Sequence, residues 1–300
     1  MALTQRVLQA FDPLHRAGLN HVRNASSLVL ARRDRGAPVM LQQQDLAILD
    51  GMAVSARLFT PQSALDIGPA IVFFHGGGFV LGGMDSHEAM CRRLAQAAGL
   101  RVILATYRLA PEFAYPAQID DAETIVRWVL AHAADLGVDR DQLALGGDSA
   151  GGYLAVALTA KLNAERPGAV KAQVLFYPLM QLDDGVWANS VVRDSRIVGR
   201  VAVRYITAQF AGHPPPSLLG SALKTTPPTI ITVGGQMDPV RPDVLAYAVE
   251  LRAAGVAVTL FEHGRLPHGF GNLTHISPDA RKAMSEVGLA AGEVFAPPAA

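Results

Sequence analysis

Gly146-Gly147-Asp148-Ser149-Ala150-Gly151-Gly152 lies between an apolar run, Gln142-Leu143-Ala144-Leu145, and a helix-forming segment over 153–161. Strand, glycine turn and helix form the context in which the pattern G-x-S-x-G has a mechanical meaning. Between strand and helix the chain must turn so tightly that the central residue takes strained backbone angles. Only very small neighbours fit beside it, and Gly147 and Gly151 occupy those positions. Ser149 is then presented at the carboxyl end of a strand, with the positive end of the next helix behind it. Five-residue matches also arise by chance, so the rest of the chain has to decide whether this serine does chemistry.

Upstream, Ala70-Ile71-Val72-Phe73-Phe74 is a continuous apolar run, the pattern of a strand buried on both faces. It ends in His75-Gly76-Gly77-Gly78-Phe79. Before it, strands are expected over 45–49 and 52–59, with Asp50-Gly51 as a hairpin turn between them. After it come a helix over 86–98, a strand over 101–106, a helix over 118–136 and the elbow strand over 142–147. Further strands are expected over 172–176, 229–233 and 257–261, with a helix over 244–254 and a last one over 278–294. Strands alternating with helices predict βαβ units and a mostly parallel sheet with helices on both faces.

Two regions break this alternation. Residues 3–18 carry the helical stripe Leu3, Val7, Leu8, Phe11 and Leu14, with Asp12-Pro13 restarting the helix, and 24–44 are polar with a charge cluster at 32–35. Residues 185–223 show no strand and contain Pro214-Pro215-Pro216. The expected division is a catalytic core of 41–184 plus 224–300 and a cap region of 1–40 plus 185–223.

The chain has 300 residues, half of them apolar, enough for a sizeable core. Lys plus Arg and Asp plus Glu number 26 each, a balance that argues against a nucleic-acid or anionic-membrane partner. The single cysteine, Cys91, excludes an internal disulfide and fits a reducing compartment. No secretory signal or stretch of about 18 apolar residues is visible, so a cytoplasmic protein is expected.

A serine hydroxyl needs a base within hydrogen-bond reach, an acid to orient that base, and donors for the oxyanion formed on attack at a carbonyl. Downstream of Ser149, Asp238 follows the apolar run over 229–233, and His268 follows the next strand. They lie 89 residues beyond the serine and a further 30 on. Loops at carboxyl strand ends carry the sites of doubly wound sheets. The glycines of 76–78 let backbone amides approach a ligand oxygen, and the Ala150 amide joins them from the elbow. Asp183, Asp184 and Asp243 are rivals for the acid. His263, His268 and His275 are spaced by 5 and 7 residues, which puts no pair on one helical turn, and no metal or cofactor is expected. Cys91 reads as a packed core thiol, and His75 as a brace for the glycine loop.

His75-Gly76-Gly77-Gly78-Phe79, Tyr107-Arg108-Leu109-Ala110-Pro111-Glu112, Gly147-Asp148-Ser149-Ala150-Gly151-Gly152, Asp238-Pro239 and His268-Gly269-Phe270 occur in that order. In this the chain resembles the hormone-sensitive-lipase-like carboxylesterases, bacterial family IV of the α/β-hydrolase fold, over roughly 70–275. The resemblance implies Ser149 as nucleophile, His268 as general base and then acid, and Asp238 as orienting carboxylate. It implies an oxyanion hole from the Gly77, Gly78 and Ala150 amides, with Gly76 shaping the turn, and a cap from the two irregular regions. Two positions depart from the family pattern: Thr106 stands where Asp is frequent, and Gly234-Gly235-Gln236-Met237 replaces the usual approach to the acid.

The implied activity is serine esterase action on a small-molecule ester through an acyl-enzyme. An amidase or small peptidase using the same groups, and a non-catalytic receptor on the same fold, are the alternatives. No membrane partner is expected, and a homodimer is left open. The insertion offers apolar cover from residues such as Trp187, Ile197, Tyr205, Ile206 and Phe210. Arg193, Asp194, Arg196, Arg200 and Arg204 interrupt it, so esters of short to medium acids are expected as substrates.

Overall fold

The computed structural model describes residues 36–48, 54–182, 215–221 and 225–296, together with 18, 19, 21, 23, 206–208 and 210. The stripe Leu3–Leu14, the cluster at 32–35, the Asp50-Gly51 turn, Asp183, Asp184 and most of the 185–223 insertion lie outside the described residues.

Eight strands form one sheet: β1 (Gln42–Ala47), β2 (Ser55–Thr60), β3 (Gly68–Phe74), β4 (Arg101–Ala105), β5 (Val138–Asp148), β6 (Ala172–Phe176), β7 (Thr229–Gly234) and β8 (Val258–His263). Their order is β1-β2-β4-β3-β5-β6-β7-β8. The pairs β1–β2 and β2–β4 are antiparallel and the remaining five are parallel, giving the mostly parallel sheet expected. Every residue of β3, β4, β6 and β7 is buried, which is why they read as unbroken apolar runs. The edge strands differ. Five of six β1 residues are exposed, and no β8 residue is fully buried.

Five helices are described: α1 (Met84–Ala98), α2 (Ala117–Ala131), α3 (Ala150–Glu165), α4 (Arg241–Ala253) and α5 (Pro278–Phe295). From β3 the chain steps one way to β4, then crosses back over β3 to β5 and continues to β6. Right-handed crossovers therefore put α1 on one face and α2, α3 and α4 on the other. α5 returns to pack on α1, and α2 packs on α3. Local chemistry sets several ends. Gly99 closes α1 in the left-handed region at φ 68°, and Ser277 caps α5 by accepting the Ala280 amide at 3.1 Å, with Pro278 in the first turn.

Most element boundaries shift by one to three residues from the sequence expectation, the first strand being Gln42–Ala47 instead of 45–49, and two shift further. α2 stops at Ala131 instead of near 136, and β5 begins at Val138 instead of 142. The added strand residues Asp139, Arg140 and Asp141 are half-buried or exposed, so apolar periodicity does not mark them. Among the described residues, no helix is long and apolar enough to cross a membrane.

The reversal of strand order between β3 and β5 brings the loop after β3 and the elbow after β5 side by side, the crevice where doubly wound sheets hold ligands. The fit there is backbone against backbone. A β-carbon on Gly151 would overlap the Phe74 carbonyl oxygen and lie 2.7 Å from that of His75; one on Gly147 would overlap the Gly151 carbonyl. Gly151→Ala should cost about 3 kcal/mol or more, or leave no folded protein. Gly264→Ala adds a β-carbon with nothing within 4 Å and should be neutral. Urea midpoints of the two variants test this, and a wild-type midpoint for Gly151→Ala would contradict the packing argument.

Candidate active site

Ser149 sits at φ 52°, ψ −118°, a strained conformation for a residue with a side chain. Three backbone hydrogen bonds hold it there. Its amide donates to Phe176 O at 3.0 Å, and its carbonyl accepts from Tyr153 N at 3.1 Å and Leu179 N at 2.9 Å; the Lys171 amide fixes β5 further back at Leu143 O, 2.8 Å. The strained angles aim the hydroxyl at the crevice above the sheet.

His268 Nε2 lies 2.9 Å from Ser149 Oγ, and His268 Nδ1 lies 2.9 Å from Asp238 Oδ1. The three side chains named from the sequence thus form one line, drawn from the ends of β5, β7 and β8. The Asp238 side chain is fully buried, and its charge is met by the Gly234 and Val240 amides, each at 3.2 Å, as well as by the imidazole. The Gly234-Gly235 departure has a spatial reason. Gly235 N donates to Leu266 O at 2.9 Å, and a β-carbon on Gly235 would overlap the Gly264 carbonyl. Two glycines let the aspartate loop cross in contact with the histidine loop.

The loop after β3 is held from several sides. His75 Nδ1 donates to Gly76 O at 2.8 Å, Tyr107 Oη donates to His75 O at 2.6 Å, and the two rings stack with centroids 4.3 Å apart. Ala110 N donates to Phe79 O at 2.9 Å. The Gly76 amide is spent on Asp148 Oδ1 at 2.8 Å, so Gly76 shapes the turn and offers no donor to a ligand. The amides of Gly77, Gly78 and Ala150 donate to no group among the described residues. Gly77 takes φ 122° and Gly78 φ 64°, angles that only glycine adopts readily.

Other candidates fall away from this line. Asp243 lies in the first turn of α4 and accepts from Gln181 Nε2 at 3.2 Å. His263 packs its ring on Phe270, with centroids 5.6 Å apart, and is lowered by burial. Cys91 is fully buried in α1, and burial raises its thiol well above the usual range. Thr106 builds its own link to β2: its hydroxyl donates to Ser55 O at 3.0 Å and accepts from Ser55 N at 3.1 Å. Tyr177 is a residue that sequence reasoning missed. Its ring stands edge-on to His268 at 4.9 Å, and its hydroxyl accepts from Gly271 N at 3.1 Å, bracing the histidine loop. Nothing in the local pattern around Tyr177 announces this, since its partners lie some 90 residues on.

The profile of a family described as alpha/beta hydrolase fold matches residues 71–272, two thirds of the chain and the stretch holding every group above. The chain belongs to this family. The hydrolase is 35% identical over 257 residues to the esterase LipI of Mycobacterium tuberculosis, covering 82% of this chain and 80% of LipI. It is 33% identical to an ethyl acetate hydrolase of Pseudomonas putida, over 91% of this chain and 89% of that one. Among solved structures, an esterase of Pyrobaculum calidifontis superposes with a TM-score of 0.83 at 31% identity, covering 92% of each chain. The resemblance to the hormone-sensitive-lipase-like carboxylesterases therefore holds over most of the chain.

Burial, and then the nearby charge of His87, lower His75 to about 4. In the hydrolase it is a neutral hydrogen-bond donor, while the unfolded chain binds a proton at about 6.5. A histidine lowered on folding destabilises the native state as pH falls through that window, because the unfolded state takes up the proton first. The loss should approach about 3 kcal/mol between pH 6.5 and 4. Urea unfolding of the wild type and His75→Asn across that range checks it. The variant should lose part of the acid-side slope, and parallel curves would remove His75 as its source.

Proposed function

We propose that this hydrolase is a serine carboxylesterase acting on esters of short to medium acids through an acyl-enzyme. The observation that carries the reading is the unbroken line Asp238 Oδ1, His268 Nδ1, His268 Nε2, Ser149 Oγ, with both spacings 2.9 Å, beside amides that donate to no group among the described residues. Ester hydrolysis is also what the names of the esterase LipI and the ethyl acetate hydrolase describe for those relatives.

In this reading His268 Nε2 takes the Ser149 proton as Oγ attacks the ester carbonyl, and Asp238 keeps the other ring nitrogen protonated and the ring in place. The Gly77, Gly78 and Ala150 amides receive the oxyanion. His268 then returns the proton to the leaving alkoxide, which departs as an alcohol. Water repeats the sequence on the acyl-Ser149, releasing the acid and restoring the hydroxyl.

The described fragments of the cap region support a cover over this loop. Ile206 packs so close to Gly78 that a β-carbon there would overlap it, and Phe210 meets Phe79 edge-on at 5.8 Å. Tyr153 Oη donates to Pro216 O at 2.9 Å. Arg23 donates to Val80 O and Ala110 O at 2.7 Å and pairs with Glu112. Bulky apolar side chains so near the oxyanion loop favour a short acyl group.

Ser149→Ala and His268→Ala should each lower kcat by about 10⁴-fold or more, with the double variant scarcely worse than either. A fluorophosphonate probe should label the wild type and leave Ser149→Ala unlabelled; labelling that persists would sink the assignment. Asp238→Asn should remain well below wild type, and full activity in that variant would move the acid elsewhere.

Across p-nitrophenyl esters from acetate to palmitate, kcat/KM should rise by up to about fourfold per methylene while protein surface remains to cover it, then fall. A maximum at palmitate, or a jump in rate above the critical micelle concentration, would contradict the proposed chain-length range.

A further inference from the structure

His87, on α1, is 3% exposed and has no part in the chemistry above. Ser86 Oγ donates its single proton to Gly83 O at 2.9 Å. In the 2.8 Å contact between Ser86 Oγ and His87 Nδ1 the imidazole is therefore the donor. Nε2 is left facing Asp148 Oδ1 at 3.3 Å and the amide nitrogen Asn272 Nδ2 at 3.3 Å. Asp148 directly precedes Ser149, and both its side chain and that of His87 are 4% exposed. Its Oδ1 is the acceptor for the Gly76 amide, 2.8 Å away.

A lone pair on Nε2 would face the carboxylate unfavourably, whereas a proton there turns the contact into an attraction. A carboxylate buried to this degree is strongly disfavoured unless donors or a cation meet it, as two amides and an imidazole meet Asp238; at Asp148 the Gly76 amide does so, and His87 faces the same oxygen. Among the described residues no lysine or arginine pairs with Asp148, and His87 is the group in place to do so.

We propose that His87 is a positioning residue for the oxyanion loop: as an imidazolium it keeps buried Asp148 a carboxylate, and Asp148 holds the Gly76 amide. Asn272 then turns its carbonyl oxygen towards Nε2–H, the half turn open to any side-chain amide. The other titratable groups facing the pair are uncharged. The His75 ring lies 5.5 Å from that of His87 and is held neutral, and burial keeps the Tyr107 and Tyr177 phenols and the Cys91 thiol protonated. One buried ion pair thus ties α1, the elbow and the loop after β3 together, just before the nucleophile.

The kinetic arm of the test rests on the esterase reading; the spectroscopic arm does not. In the ¹⁵N-labelled wild type near pH 7, with His87 assigned through its α1 neighbours, both ring nitrogens should carry protons. An unprotonated Nε2 would overturn the proposal. In p-nitrophenyl acetate hydrolysis, His87→Gln and Asp148→Asn should each lower kcat about 30-fold, less than the loss of an oxyanion donor itself, with KM within about twofold. His87→Gln/Asp148→Asn removes cation and anion together and should be no worse than either single variant. Additive losses, or wild-type kcat in His87→Gln, would overturn the proposal. Rates are taken per fluorophosphonate-labelled site, which separates misfolding from mispositioning, and the wild-type spectrum decides if the variants do not fold. Should the wild type hydrolyse no ester, the esterase reading fails and the spectrum still reports on His87.

Discussion

The first turn of α3 presses on the carbonyl oxygens at the end of β3, and Gly151 comes so near Phe74 that no β-carbon fits between them. Because helix and strand end touch through backbone, the residue joining β5 to α3 has no room for ordinary angles, and Ser149 is forced to φ 52°. The same closeness places the Asp148 side chain against Gly76, so the elbow and the glycine loop are registered to each other by a 2.8 Å hydrogen bond. Strain of this kind costs of order 1–3 kcal/mol and persists only where the surroundings over-determine it. Here they do, through the fully buried β3, β4 and β6 and the hydrogen bonds at Phe176 and Leu179.

Two aspartate–histidine pairs flank this serine, and their geometry separates their tasks. Asp238 and His268 meet at 2.9 Å with the far nitrogen on Ser149 Oγ, so a proton has a path from the hydroxyl to the imidazole. Asp148 and His87 meet at 3.3 Å with Oδ1 shared by a backbone amide, and no path leads from them to the hydroxyl. Buried carboxylates on both sides of a nucleophile would repel the oxyanion if either were uncompensated. Asp238 is compensated by two amides and an imidazole, whereas Asp148 has the Gly76 amide and, in the proposal above, the imidazolium of His87.

Most of this was legible in the sequence where one residue type can do only one thing. Strands buried on both faces read as apolar runs, and glycines marked the turns where backbones touch. Serine, aspartate and histidine fell after successive strands. What escaped has a common cause. Asp139–Asp141 extend β5 through polar positions, and Tyr177 and Asn272 matter only through partners about 90 and 185 residues away that the sheet order brings close. The Gly234-Gly235 departure allows the crossing with Gly264 and Leu266, contacts that only the folded loops reveal. Asp148 was quoted as part of a motif, yet no one-dimensional pattern says that its side chain points back to Gly76.

The loop after β3 is gripped from both sides, and in the proposed esterase reading this bears on how its donors work. From below, Asp148, His75 and Tyr107 fix Gly76 and the chain entering it. From above, Arg23 holds Val80 while Ile206 and Phe210 pack on Gly78 and Phe79. Donors held this way need no rearrangement when charge develops on a substrate oxygen, and preorganisation of that sort is the largest single contribution in many enzymes. The grip from above comes from residues 23, 206 and 210, which belong to the two irregular regions of the chain. On the proposed reading, whatever covers the acyl group is therefore mechanically continuous with whatever stabilises the oxyanion. In such an arrangement, substrate contacts with the cover and charge stabilisation at the loop are not independent: an acyl chain that fits displaces neither, while one that is too long strains both at once.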